Sequence, residues 1–368
     1  MPTSWKPAGE MGEWKHTAGE FFADASDKGV KTSEDAKFYG MTAKLDENFT
    51  NAGKQLVIQY SVKHEQDLDC GGAYIKLMHG DVDQASFGGD TPYSIMFGPD
   101  VCGSSNRRTH VIFNYPPKND NLLIKEEVRV ETDNLSHLYT LVVEPDNTFQ
   151  VLIDQKVVRE GKLEDEFDFL QPKEIKDPEV SKPSDWVDAK MMPDPTDEKP
   201  AGYDDIPESV PDPDATKPDD WDDDEDGEWE APMVDNPEYK GEWRPKMIEN
   251  PEYKGAWEHP TIPNPDYVTD DSLHARCTDC SHVGFELWQV KSGTIFDDII
   301  ITDSLEEANE HAAQGFLVRQ GPEKEKFDAA AEERREAEAA ARAEAQAAQE
   351  LEEGQDEEED DEEDHDEL

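Results

Sequence analysis

The 368-residue chain holds no run of 18 apolar residues, so no segment reads as a membrane-spanning helix. Positive charge is scarce: 35 Lys and Arg face 90 Asp and Glu, a formal net charge of −55. Such a surface repels phosphate backbones and anionic lipid, which excludes nucleic-acid binding and electrostatic membrane attachment. What it attracts is cations. Apolar residues make up 35%, less than in an ordinary globular chain, and most lie in the first half. That half can bury a core, whereas much of the remainder is expected to be extended, helical or disordered. Catalytic signatures are missing too. There is no nucleophile elbow, phosphate-binding Gly-rich loop or His-Glu-x-x-His. The carboxylate patterns of sandwich glycosidases, E-x-D-x-E and E-x-D-x-x-E, are absent outside the acidic C-terminal run. No enzyme is expected.

The opening MPTSWKPAGE has no apolar core of a signal peptide. Yet the chain ends in His365-Asp366-Glu367-Leu368, an address read by the retrieval receptor of the endoplasmic reticulum. The N terminus is therefore expected to be mature, trimmed or incomplete. In that oxidising lumen the four cysteines default to disulfides.

Residues 38–170 read as β. Segments 54–62, 73–78, 93–97, 110–115 and 138–143 are short and rich in branched and aromatic side chains. A hairpin is expected around Pro145-Asp146-Asn147, returning through 149–153. Many short strands with turn punctuation indicate a sandwich or barrel. The pattern returns at 284–290, turns at Lys291-Ser292-Gly293 and continues through 294–302.

Between these stretches, residues 172–265 hold 17 of the 25 prolines, and they repeat. One family reads IKDPEVSKPSDW (175–186), MPDPTDEKPAGY (192–203) and VPDPDATKPDDW (210–221). The other has a 14-residue period: GEWEAPMVDNPEYK (227–240), GEWRPKMIENPEYK (241–254) and GAWEHPTIPNPDYV (255–268). Three units of one kind followed by three of the other predict a folded-back hairpin arm, with outgoing and returning units paired and rings stacked across it. Ser304-Leu-Glu-Glu307 has capping-box spacing and predicts a helix start. The Ala, Glu and Arg content of 323–353 predicts more helix. Nine consecutive acidic residues, 356–364, are expected to be disordered. The divisions are 1–173 and 269–303 for the sandwich, 174–268 for the arm, 304–353 for a helical segment and 354–368 for an acidic tail.

Cys70 and Cys102 lie beside predicted strands and are expected to be bridged. Cys277-Thr-Asp-Cys280 precedes a strand rather than a helix, so thioredoxin-type chemistry is not expected. With His274 and His282 nearby, a local disulfide, a compressed zinc site and free thiols stay open. Tyr74, Lys76, Tyr93, Met96 and Asp100 lie on or beside the strands flanking Cys70 and Cys102. Alternation puts Tyr74 and Lys76 on one sheet face. Rings, an amine and a carboxylate suit an array of sugar hydroxyls, though the same Tyr/Met set also reads as core. Asp297-Asp298 reads either as hard-cation ligand or as a solvated pair, and the tail reads as weak calcium sites near ~10⁻⁴–10⁻³ M.

Taken together the motifs resemble the calreticulin/calnexin family of lectin chaperones over nearly the whole chain. The resemblance rests on Lys63-His-Glu-Gln66, Asp69-Cys-Gly-Gly72, Ile95-Met-Phe-Gly-Pro-Asp100 and His110-Val-Ile-Phe-Asn-Tyr115. It also rests on the three-plus-three repeats and on Leu287-Trp-Gln-Val-Lys-Ser-Gly-Thr-Ile-Phe-Asp297. It implies a concanavalin-like jelly-roll β-sandwich, mainly β, with an inserted proline-rich hairpin arm, a C-terminal helix and an acidic calcium-storing tail. It implies binding of monoglucosylated high-mannose glycans on folding glycoproteins through Tyr74, Lys76, Tyr93, Met96, Asp100, Ile112 and Glu286. Glu286 stands where the family has Asp. It further implies a structural calcium held by the Asp297 carboxylate and by backbone carbonyls near Ser26 and Lys28, the fourth ligand lying on a strand with no counterpart here. Asp224, Asp226, Glu228 and Trp229 match an arm tip that recruits an oxidoreductase of the protein disulfide isomerase family, and Trp257 and Trp288 match aromatics tied to chaperone function. The rival expectation is a calcium-buffering, polypeptide-binding chaperone with weakened or lost sugar recognition.

Overall fold

The computed structural model describes residues 1–218, 221 and 227–363, with backbone only beyond 346. It divides into two units, Met1–Gln171 with Asp266–Leu368, and Pro172–Pro265. The first unit opens with β1 (Trp14–Thr17), β2 (Gly29–Thr32), β3 (Lys37–Phe49), β4 (Leu56–His64), β5 (Cys70–Gly72) and β6 (Ile75–His79). It continues with β7 (Ile95–Cys102), β8 (Asn106–Tyr115), β9 (Asp120–Leu123), β10 (Ser136–Val143), β11 (Thr148–Ile153), β12 (Lys156–Lys162) and the short helix α1 (Leu163–Glu166). The second unit carries β13 (Glu174–Lys176), β14 (Met191–Pro193), β15 (Ser209–Pro211), β16 (Met233–Asp235), β17 (Met247–Glu249) and β18 (Thr261–Pro263). The chain then returns to the first unit as β19 (Cys280–Gln289), β20 (Thr294–Thr302), α2 (Leu305–Gln314) and α3 (Phe316–Glu363).

Two antiparallel sheets form the sandwich. One has the order β1-β2-β20-β4-β10-β11-β12; the other runs β3-β19-β5-β7-β8-β9, with β6 pairing both β19 and β7. Alternation sends Ile58, Tyr60, Leu141 and Val151 of the first sheet inward against Ile75, Phe97, Phe113, Phe285 and Leu287 of the second. Strand β4 is buried on both faces. Its outward Val57 packs with Val142, Leu152 and Ala308, while neighbouring Leu138 meets Ala312 and Phe316. Helix α2 and the start of α3 thus cover the outer face of the first sheet.

Local chemistry explains the joints. At the predicted hairpin, Asn147 takes the left-handed region (φ 64°), and the Asp146 carboxylate accepts from the Thr148 amide (3.0 Å) and hydroxyl (2.6 Å). Gly98 has φ 128°, and a Cβ there would fall 1.7 Å from the Tyr60 hydroxyl, which bonds the Ala73 and Phe97 carbonyls at 2.8 and 3.0 Å. Ser304 caps α2 by accepting from the Glu307 amide at 3.2 Å. The return half of the capping box is relayed: the Ser304 amide donates to Thr302 Oγ1, whose hydroxyl donates to Glu307 Oε2.

The second unit is three nested antiparallel ladders, β13 with β18, β14 with β17 and β15 with β16, so each outgoing repeat meets a returning one. The repeats meet across the arm through their asparagines, where ring stacking is expected from the sequence. Asn236, Asn250 and Asn264 donate from Nδ2 to the carbonyls of Pro207 (2.7 Å), Ala189 (3.2 Å) and Pro172 (2.8 Å). Trp186 instead donates its indole N–H to the Gly255 carbonyl at 2.9 Å. Among the described residues these amide and indole bonds flank the ladders that join the two families of repeats. The unit ends at Pro265 rather than 268: Tyr267 belongs to the sandwich, where its hydroxyl reaches Glu164 at 3.1 Å. The backbone of 356–363 continues α3 where disorder is expected, consistent with the helix propensity of Glu and Ala upstream. Residue 364 and the HDEL lie outside the described residues.

Candidate functional site

Among the described residues no helix covers the outer face of the second sheet, and strand periodicity decides what it carries. Register places Gly284 beside Lys76, Lys76 beside Met96, and Met96 beside Ile112 in one transverse row. Two positions along each strand, on the same face, stand Glu286, Asp100 beyond Gly98, and His110. Tyr74 lies two positions before Lys76.

Lys76 is 2% exposed, and its Nζ lies 2.9 Å from Glu286 Oε2 and 5.1 Å above the Tyr93 ring. Asp100 accepts from Asn106 Nδ2 at 2.6 Å and from His110 Nε2 at 2.9 Å. Arg108 Nε in turn donates to Asn106 Oδ1 at 2.7 Å, fixing the amide. Burial raises the Asp100 carboxyl, but the His110 and Asn106 bonds outweigh it and hold the group below the usual carboxylate range. Burial, reinforced by Glu286 and Asp100, pushes the Tyr74 phenol well up, and burial with Glu286 raises that of Tyr93. Both phenols therefore stay neutral donors. The Tyr74 ring meets His110 edge-on at 6.3 Å and lies over Gly72, where a Cβ would fall 2.4 Å from Tyr74 Cε1. Cys70 and Cys102 are register partners and are bridged beside this face.

All seven expected sugar contacts thus share one sheet face. Asn106, Arg108 and His110 join them without being singled out from sequence. Alternation from Ile112 would have reached His110; nothing in the sequence marks Asn106. Trp288, 38% exposed, continues the β19 face from Glu286 and packs on Phe38 (4.6 Å), which meets Trp5 (5.2 Å). Residues 1–12 run along edge strand β3, bridging at Pro2 with Met41 and Met11 with Phe38.

The other expectations fare differently. Trp257 lies in the second unit, beside His259 at 4.9 Å. Glu228 is exposed and Trp229 half-buried, while Asp224 and Asp226 lie outside the described residues. Cys277 and Cys280 form a buried local disulfide, so the zinc and free-thiol alternatives fall away. His274 bonds Asn147 and His282 bonds Ser281 instead.

The donors for a structural calcium do not fit that ion. The Asp297 carboxylate is paired with Arg319 at 2.7 Å. The Lys28 carbonyl holds His16 Nε2 at 3.0 Å. Among the described residues no group of three or more His, Cys, Asp or Glu is arranged to hold a metal ion.

Fold and face together define a concanavalin-like β-sandwich with an open polar-and-aromatic sheet face, interrupted by a proline-rich repeat arm. Comparison narrows the class. The sequence model of the Calreticulin family matches residues 8–227 and 226–301. The calreticulin of Chlamydomonas reinhardtii is 58% identical over 330 residues, 89% of this chain and 78% of that one. The calreticulin of Dictyostelium discoideum is 54% identical over 335 residues, 90% and 78%. The solved T. cruzi calreticulin globular domain superposes with a TM-score of 0.64 at 29% identity, covering 90% of this chain and 94% of that one. The chain belongs to the calreticulin family.

Proposed function

We propose that this calreticulin-type chaperone is a lectin of the endoplasmic reticulum lumen that holds monoglucosylated high-mannose N-glycans on folding glycoproteins. The sugar would lie on the outer face of the second sheet. The observation that carries this reading is the Lys76–Glu286 pair beneath the Tyr93 ring, on one face with an Asp100 fixed from two sides. Charged donors and acceptors held in place beside aromatic faces lose little freedom when hydroxyls bind. Tyr74, Met96 and Ile112 supply apolar walls for the ring faces of the sugar.

The remaining roles follow the same reading. The acidic tail stores calcium weakly, near ~10⁻⁴–10⁻³ M, because loose carboxylate sites are neither rigid nor dehydrated. The arm tip around Glu228 and Trp229 docks a thiol oxidoreductase of the protein disulfide isomerase family, and HDEL returns the chain to its compartment. Calorimetric titration with a monoglucosylated tri- or tetrasaccharide, against the same mannose chain lacking glucose, tests the lectin. Binding that requires the glucose, and is abolished by Tyr74→Ala in a folded protein, is the expected result. Unchanged binding by the variant would move the cleft elsewhere.

A second reading, a calcium-buffering and polypeptide-binding chaperone without sugar recognition, is favoured by one observation. Glu286 is already committed to Lys76, which leaves each with fewer bonds to offer a ligand. Failure of both oligosaccharides to bind would select it.

A further inference from the structure

On the outer face of the first sheet, three carboxylates meet one guanidinium. Arg319, in the first turn of α3, places Nη1 2.8 Å from Asp27 Oδ2 and 2.7 Å from Asp297 Oδ2. Its Nη2 contacts Asp298 Oδ2 and lies 3.5 Å from Ser61 Oγ, while the Ser61 hydroxyl donates to Asp298 at 2.8 Å. On a regular strand, consecutive residues point to opposite faces. Here a bulge between Asp297 and Ile300, with Asp298 in the left-handed region (φ 52°), turns both carboxylates toward the same cation. One helical turn beyond Arg319, Glu323 accepts Lys63 at 2.8 Å and the Ser136 hydroxyl at 3.1 Å. The start of α3 is thus fastened to the sheet by a cation and an anion at i and i+4.

We propose that Arg319 is a built-in cation standing where family resemblance places calcium, so that this sandwich closes without a tightly bound divalent ion. A hard dication needs six to eight oxygens near 2.3–2.6 Å, free to converge on one point. The oxygens here face a planar fork of N–H donors, the geometry that guanidinium and carboxylate share. An ion entering beside Asp297 would meet that fixed positive charge about 3 Å away. The Lys28 carbonyl already faces His16 Nε2 at 3.0 Å rather than a point shared with Asp297.

The test uses the full chain, melted by near-UV circular dichroism in chelator and at ~10 µM free calcium, below the range in which loose tail sites fill. The wild-type midpoint is expected to be the same in both. Arg319→Ser strands three carboxylates, so its midpoint in chelator should fall by roughly 10 °C and recover at least in part with calcium. Wild-type protein that gains several degrees at micromolar calcium would overturn the proposal, as would Arg319→Ser melting like wild type in chelator. Should Arg319→Ser not fold in either buffer, Arg319→Lys decides. It keeps a cation, so calcium-independent melting supports the proposal and calcium-dependent melting overturns it.

Discussion

Lys76 and Glu286, 210 positions apart in sequence, form a 2.9 Å ion pair on adjacent strands β6 and β19. With Lys76 2% and Glu286 12% exposed at the side chain, neither charge has full access to water. Removing one partner leaves the other stranded, at a cost of about 3–5 kcal/mol, whereas removing both restores a neutral face. Lys76→Met and Glu286→Gln should therefore each destabilise the protein by about 3–5 kcal/mol, with the double variant losing well short of the sum of the two. Urea denaturation of the four proteins measures the coupling. Additive losses would mean the pair does not hold in solution.

Two neighbouring histidines set opposite limits on pH. His137 is disfavoured as a cation by burial, but bonds to Asp133 and Asp154 prevail and carry its pKa up to about 10. Its contribution is complete below the unfolded value near 6.5 and is lost as pH rises through 10. His64 is driven down to about 4, chiefly by burial and then by the charge on His137. Its protonation opposes folding, so stability falls as pH drops from 6.5 toward 4. Each slope is limited to about 1.4 kcal/mol per pH unit. His137→Gln should flatten the alkaline limb of a stability–pH profile and His64→Gln the acid limb. Profiles with both limbs unchanged would contradict the assignment.

The two disulfides should differ in worth. Cys70–Cys102 closes a separation of 32 residues, for which loop entropy gives about 3–4 kcal/mol; Cys277–Cys280 closes a separation of 3, for about 1.5 kcal/mol. Comparing urea midpoints of the two double-Ala variants checks the order. The first should also weaken oligosaccharide binding, because the bridge lies beside Tyr74 and Asp100. The second should leave binding unchanged.

Equilibrium dialysis should find a millimolar calcium capacity that deletion of residues 354–364 mostly removes, with thermal stability at micromolar calcium unaltered. Retained capacity would place the weak sites elsewhere on this acidic surface.

Much of this architecture is legible from residues alone where one period dominates. Strand period and turn chemistry locate β4, β10, β11, β19 and β20 closely, and the 14-residue repeat foretells the nested ladders. Strands β1 and β2 escape notice because WKHT and GVKT are four residues long and half polar. Tyr74 and Lys76 fall on one face by alternation, but their meeting with Glu286 depends on a pairing made across the whole inserted arm. Asn106 is a polar residue at a strand start, and only its distance to Asp100 gives it meaning. Arg319 sits in a helix whose surroundings show no signature, and nothing local along the chain reveals that a bulge 21 and 22 positions upstream would aim two aspartates at it.

The nested ladders of the second unit make its length a stepped quantity. Each returning asparagine clasps one outgoing carbonyl, so the arm can be shortened only by withdrawing one unit from each family together, as a zip loses a tooth from both sides. Removing the pair of units that carries β14 and β17 should bring the tip in by one step with its own ladder intact. Removing either unit alone would leave an asparagine facing the wrong rung.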